Sequence, residues 1–171
     1  MKVLSPVFGP ILVSSLRLLG ASLFLYIYMR LTKMKISFKR NILFFMTIGI
    51  INSAIPFVMY SFAALNIDAS LSGTLNSSSP MFGAIFGYLL LGSKLKPKQI
   101  IGLIVGFIGV LVVSSASLES GSVDIVLSVI ACILAAACYG LAGTFVKRRT
   151  TVVDSSSLTL GSLFFAGIFL L

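Results

Sequence analysis

Arg17, Asn52, Tyr60, Asn76 and Tyr139 are the side chains of this 171-residue sequence best placed by type and spacing to hold a small polar molecule. Asn52, Pro56 and Tyr60 follow one another at steps of four, and Ser72, Asn76 and Pro80 repeat that step. On a helix a step of four keeps residues on one face, so two helices present matching polar faces, each broken by a proline. Proline cannot donate a helical hydrogen bond and frees a carbonyl one turn earlier; in lipid, that carbonyl must be met by protein or by a water-lined cavity. Interrupted helices of this kind often line midplane binding sites, and a structural kink is the competing reading. The hydroxyls of Ser77, Ser78 and Ser79, just ahead of Pro80, can donate to freed carbonyls as readily as they can face a ligand.

Arg17 lies eleven residues beyond Pro6, which at helical rise puts it near the middle of a bilayer. A charge there costs several kcal/mol and calls for a partner or a water-filled cavity. Two readings are open: an arginine satisfied by backbone carbonyls or by snorkelling, and an electropositive element of a substrate path. Pro10, Ser14, Gly20 and Ala21 share its side of the helix, while Leu16, Leu18, Leu19 and Leu23 cover the others.

Acid–base and metal chemistry are poorly supplied. The chain has no histidine, and its four acids, Asp68, Glu119, Asp124 and Asp154, fall in loops or at helix ends. No buried acid–base pair is available, so an enzyme is not expected, and neither is a metal or another cofactor. Cys132 and Cys138 are six residues apart in one apolar stretch and point to different sides of a helix, which suits small buried thiols and not a disulfide.

The elements that must position these residues are six long apolar stretches: Val7–Met29, Ile42–Leu65, Leu71–Leu91, Gln99–Ser115, Val123–Val146 and Ser156–Leu171. With 58% hydrophobic and 10% charged residues, water cannot be the main solvent. Runs this long without strict alternation read as helices and not barrel strands, so the fold class expected is an all-α polytopic membrane bundle of six helices. Pro6, Pro10 and Arg17 interrupt the first stretch and no small-residue cleavage site follows, which argues for a retained helix and against a signal peptide.

Basic residues alternate strictly between loops. Arg30, Lys33, Lys35, Lys39 and Arg40 follow the first stretch, Lys94, Lys96 and Lys98 the third, and Lys147, Arg148 and Arg149 the fifth; the second and fourth loops have none. Loops rich in Lys and Arg stay in the cytoplasm, which puts the first, third and fifth loops inside. The net charge of +9 is thereby an orientation signal; no basic soluble face interleaved with aromatics exists, so nucleic acid is not an expected partner. Gly83 and Gly87, and Gly102 with Gly106 and Gly109, recur at packing intervals and are expected to let helix backbones approach. Tyr139, beside Gly140 and near Gly143, is either an aromatic wall of a pocket or a core tyrosine.

The segment Phe62 to Ser115 resembles the core of an EamA domain of the drug/metabolite transporter superfamily, on Pro80-Met81-Phe82, the Leu91-Gly92 turn, the Pro97 to Gln99 linker, and Gly102 with Gly109-Val110. The Arg17 helix resembles the family's second helix, and ACYGLAGTFVKRR the opening helix of its second repeat. Ser93 stands where the family commonly has an acid. The resemblance implies ten helices in two inverted five-helix repeats. Placed on that plan, residues 1–116 are a first repeat lacking its opening helix and 123–171 the start of a second. The loop parity agrees, and an absent helix before Met1 and further chain after Leu171 are expectations.

The resemblance also implies export or exchange of small metabolites or drugs by alternating access in a plasma or bacterial inner membrane. The partners expected are the lipid bilayer and an unidentified small-molecule substrate, with a homo-oligomer or a complementary segment as further options. The alternative reading is a non-transporting membrane fragment.

Overall fold

The computed structural model describes residues 9–33, 42–118, 122–149 and 155–171. Pro6, Lys35, Lys39, Arg40, Glu119 and Asp154, all used in the reading above, lie outside the described residues. The described residues are 87% helical, with no strand among them, and form six helical units.

The first unit is α1 (Pro10–Leu31), opened by Gly9 at φ 78° and by Pro10, whose missing N–H costs nothing at a helix start. The second runs unbroken from Ile42 to Ala63 as α2 (Ile42–Gly49), a π-helix (Ile50–Ala54) and α3 (Ile55–Ala63). The third, expected as Leu71–Leu91, begins earlier and is two helices, α4 (Ala69–Asn76) and α5 (Ser79–Leu91). Three units follow: α6 (Pro97–Leu118) and α7 (Val123–Arg149), both longer than expected, and α8 (Ser155–Phe169), which ends two residues short of the expected stretch. Of these units, Ile11–Leu31, Ile42–Ala63, Pro97–Ser115 and Val123–Arg149 are long and apolar enough to cross a membrane.

The ends follow local chemistry. Gly92, left-handed at φ 63°, closes α5 in an αL cap, its N–H donating to the Tyr88 carbonyl at 3.1 Å, and the Ser93 N–H donates to Gly87 at 3.2 Å. At the start of α6 the Gln99 Oε1 accepts from the Lys96 N–H at 2.7 Å, and Pro97 takes the first helical position. Asp124 in the first turn of α7 and Lys147, Arg148 and Arg149 in its last turn complement the helix dipole.

The two prolines are accommodated differently. Ahead of Pro56 the backbone widens, and the Ile55 N–H reaches back five residues to the Ile50 carbonyl. Ahead of Pro80 the helix stops, and hydroxyls take over. Ser77 Oγ donates to the Thr74 carbonyl at 2.6 Å, Ser78 Oγ to Leu75 at 2.6 Å, and Ser79 Oγ to Asn76 at 2.6 Å. The Asn76 carbonyl is the one that residue 80 would bond in a continuous α-helix.

Helix α7 is the hub, packed against α3, α4 and α5, while α8 packs on α1, α2 and the π-helix. The interior is small and hydroxylated: Ser14, Ser15, Ser61, Ser128, Ser157, Ala135, Ala136 and Ala142 are all fully buried. Large apolar side chains face outward, among them Phe24, Leu43, Ile101 and Leu111. This inverts the arrangement of a water-soluble core and suits lipid, where close backbone approach and interhelical hydrogen bonds hold helices together. Ser15 Oγ donates to the Gly167 carbonyl at 2.9 Å between α1 and α8, and Ser14 Oγ pairs with Ser61 Oγ at 2.9 Å between α1 and α3.

The glycine expectation divides. Gly83 meets Gly140 at the crossing of α5 and α7, where a Cβ on Gly140 would lie 2.7 Å from Phe82. Gly106 approaches Met81, but a Cβ on Gly87, Gly102 or Gly109 would have no neighbour within 4 Å. These three glycines are therefore not contact points between the described helices. The spacing marks a small face; whether a neighbour reaches it depends on the tertiary arrangement.

Candidate functional site

Tyr60, Asn76 and Tyr139 come together where α3, the end of α4 and the middle of α7 meet. The Tyr60 hydroxyl donates to Asn76 Oδ1 at 2.8 Å, and the Tyr60 and Tyr139 rings stack with centroids 6.2 Å apart and planes 19° from parallel. Ser79 Oγ also lies 3.1 Å from Asn76 Oδ1, so the amide oxygen is held from both sides of the helix break. The Asn76 Nδ2 donors and the Tyr139 hydroxyl have no hydrogen-bond partner among the described residues. Tyr139 lies ten residues, about 15 Å, from the basic end of α7 at Arg149, well inside the apolar span Val123–Arg149.

Two clefts reach this cluster from opposite ends of the bundle. One, of about 590 Å³, runs from Ile67 and Ala69, near Asp68, past Ser72 to Tyr60, Asn76 and Tyr139. The other, of about 530 Å³, runs from Ser93, Lys94 and Lys147 past Gly83 and Pro80 to Tyr139. Tyr139 lines both. Polar cross-links brace the first cleft: Asn66 Nδ2 donates to Ser128 Oγ at 3.1 Å, and Ser72 Oγ lies 3.5 Å from Cys132 Sγ.

Arg17 and Asn52 stand apart from this cluster. Arg17 is exposed on α1, with its guanidinium carbon 5.6 Å above the Phe57 ring. The face expected around it is split, since Ser14 is buried against Ser61 while Gly20 and Ala21 are exposed. Asn52 is half-buried within the π-helix, and its side-chain amide has no hydrogen-bond partner among the described residues. Pro56 and Pro80 sit at the two helix irregularities, and Pro80 lines the second cleft.

A matching sequence pattern covers residues 1–115 and is that of the EamA-like transporter family. The chain belongs to the EamA-like transporter family. The uncharacterized transporter YvbV of Bacillus subtilis (strain 168) is 26% identical over 160 residues, which cover 91% of this chain and 52% of that protein. The chain thus spans about half the length of the curated relative it matches. No solved structure matches it. The family is one of membrane transporters, in keeping with the apolar helices and the inverted core.

Lys94 and Lys147 line the second cleft, although their sequence positions speak first of membrane orientation. The signal for Lys147 is its spacing: Tyr139, Gly143 and Lys147 follow one another at steps of four along α7. Lys94 carried no such signal, because its place depends on how the turn after Gly92 folds back.

Proposed function

We propose that this family member works in a carrier that exports or exchanges small metabolites or drugs across the cell membrane by alternating access, with Tyr60, Asn76 and Tyr139 contacting the substrate. The observation that carries this reading is that Tyr139 lines two clefts approaching it from opposite ends of the bundle. A site shared by an inner and an outer cleft is what alternating access requires. The Asn76 amide donors and the Tyr139 hydroxyl supply hydrogen bonds, and the stacked rings supply a flat apolar wall. Asn52 adds an amide at the π-helix, and Arg17 a positive charge held over Phe57. The cell membrane is the expected location, with the lysine- and arginine-rich ends in the cytoplasm.

The test is counterflow in proteoliposomes, loaded in turn with members of a panel of amino acids, nucleosides, sugars and organic ions. Saturable exchange of at least one class, lost in Asn76→Ala and Tyr139→Ala at unchanged protein content, supports the reading. Absence of exchange for every class, with correctly inserted protein, favours a non-transporting membrane chain.

A further inference from the structure

A third cavity, of about 460 Å³, lies away from Tyr139, between the beginning of α2 and the end of α7. Leu43, Phe44, Thr47 and Ile48 form one wall, and Phe145, Arg148 and Arg149 the other. The Arg149 guanidinium carbon stands 5.2 Å above the Phe44 ring, so one aromatic both floors the groove and holds the cation at its mouth. Leu43 is 80% exposed and Arg148 and Arg149 are exposed, while Phe44 and Phe145 are half-buried and Ile48 is buried at the floor, so the groove opens at its charged end and along Leu43. Phe145 and Arg149 are four residues apart, about 6 Å along the helix. That is the scale on which a membrane passes from headgroup to acyl chain, about 5–10 Å. The two acids among the described residues are remote: Asp124 is at the opposite end of α7 and Asp68 precedes α4.

We infer that this cavity binds an anionic phospholipid of the cytoplasmic leaflet, with the phosphate between Arg148 and Arg149 and an acyl chain along Leu43, Phe44, Ile48 and Phe145. The positive-inside tendency explains arginines at this end of α7, but it requires neither a groove beneath them nor an aromatic under the guanidinium. Two cations above an apolar channel match a phosphate ester that carries a hydrocarbon tail; a free phosphate would leave the channel unfilled. Lys96 and Lys98, expected on the same side of the membrane, lie outside this cavity and provide a charge-matched comparison.

The test uses the 171-residue chain in phosphatidylcholine vesicles with spin-labelled phosphatidylglycerol or phosphatidylcholine, reading the motionally restricted lipid by electron paramagnetic resonance. Phosphatidylglycerol is expected to be restricted preferentially, and the preference to fall about fivefold for each arginine replaced in Arg148→Gln and Arg149→Gln. The Arg148→Lys/Arg149→Lys variant should keep most of it, which separates charge from misfolding. Three results would each overturn the inference: no preference in the parent chain, an equal loss in Lys96→Gln/Lys98→Gln, or release of the restricted lipid by millimolar inorganic phosphate.

Discussion

The Tyr60 hydroxyl holds Asn76 Oδ1 at 2.8 Å, and this bond joins the helix that follows the π-widening to the helix that ends at the second break. Two proline-marked irregularities thereby share one polar contact, at an exposed Asn76 beside the first cleft. Tyr60→Phe removes that donor but leaves Ser79 Oγ on the same oxygen. The expected stability loss is therefore small, about 0.5–1 kcal/mol, measurable by denaturant unfolding in mixed micelles.

Ser79 and Pro80 should be coupled. Ser79→Ala strips the hydroxyl from the Asn76 carbonyl and is expected to cost about 0.5–1.5 kcal/mol. Adding Pro80→Ala supplies a backbone N–H that can reach the same carbonyl, so the double variant should be more stable than Ser79→Ala alone. A double-mutant cycle of unfolding free energies reads this directly; strict additivity would mean that the hydroxyl does not replace the proline's missing donor.

Gly140→Ala and Gly87→Ala make a matched pair. A Cβ at Gly140 would press on Phe82 at 2.7 Å, whereas one at Gly87 meets nothing within 4 Å. The first should cost about 1–3 kcal/mol through overpacking, and the second should leave stability unchanged or raised. Thermal unfolding of the two variants side by side checks the order.

Arg17→Ala is expected to abolish transport while leaving membrane abundance nearly unchanged. Its guanidinium rests over Phe57 of α3 on an exposed face, while Ser14 also joins α1 to α3 through Ser61, so that helix pair does not depend on Arg17 alone. Quantitative immunoblotting of membranes alongside counterflow distinguishes this from a structural arginine, for which the two losses would be equal.

How much of this could be read from the residues depends on the distance over which each feature is decided. Helix spans, loop ends and the two proline irregularities are local matters of apolar length, capping and proline, and they stand in the sequence, although only the one at Pro80 interrupts its helix. The way each break is healed does not. Three serines beside Pro80 provide hydroxyls and the helix stops there, while Ile50–Ala54 ahead of Pro56 answers with a π-helix. Of the five candidate site residues, the step-of-four pattern led to Tyr60 and Asn76, and they do meet. Tyr139 joins them because α7 packs against α3 and α4, a long-range fact that spacing within one helix cannot carry. Arg17 has its own helix face in the sequence, but its neighbour Phe57 lies on another helix.

The most direct test is sidedness of labelling at the shared tyrosine. Single cysteines at Ser72, Ser93 and Tyr139, each with Cys132 and Cys138 replaced by serine, are treated with a membrane-impermeant maleimide in right-side-out and inverted vesicles. Ser72→Cys should react from the outside, Ser93→Cys from the inside, and Tyr139→Cys from both. Reaction of Ser72→Cys and Ser93→Cys from the same side, or of Tyr139→Cys from one side only, would contradict two clefts that share Tyr139.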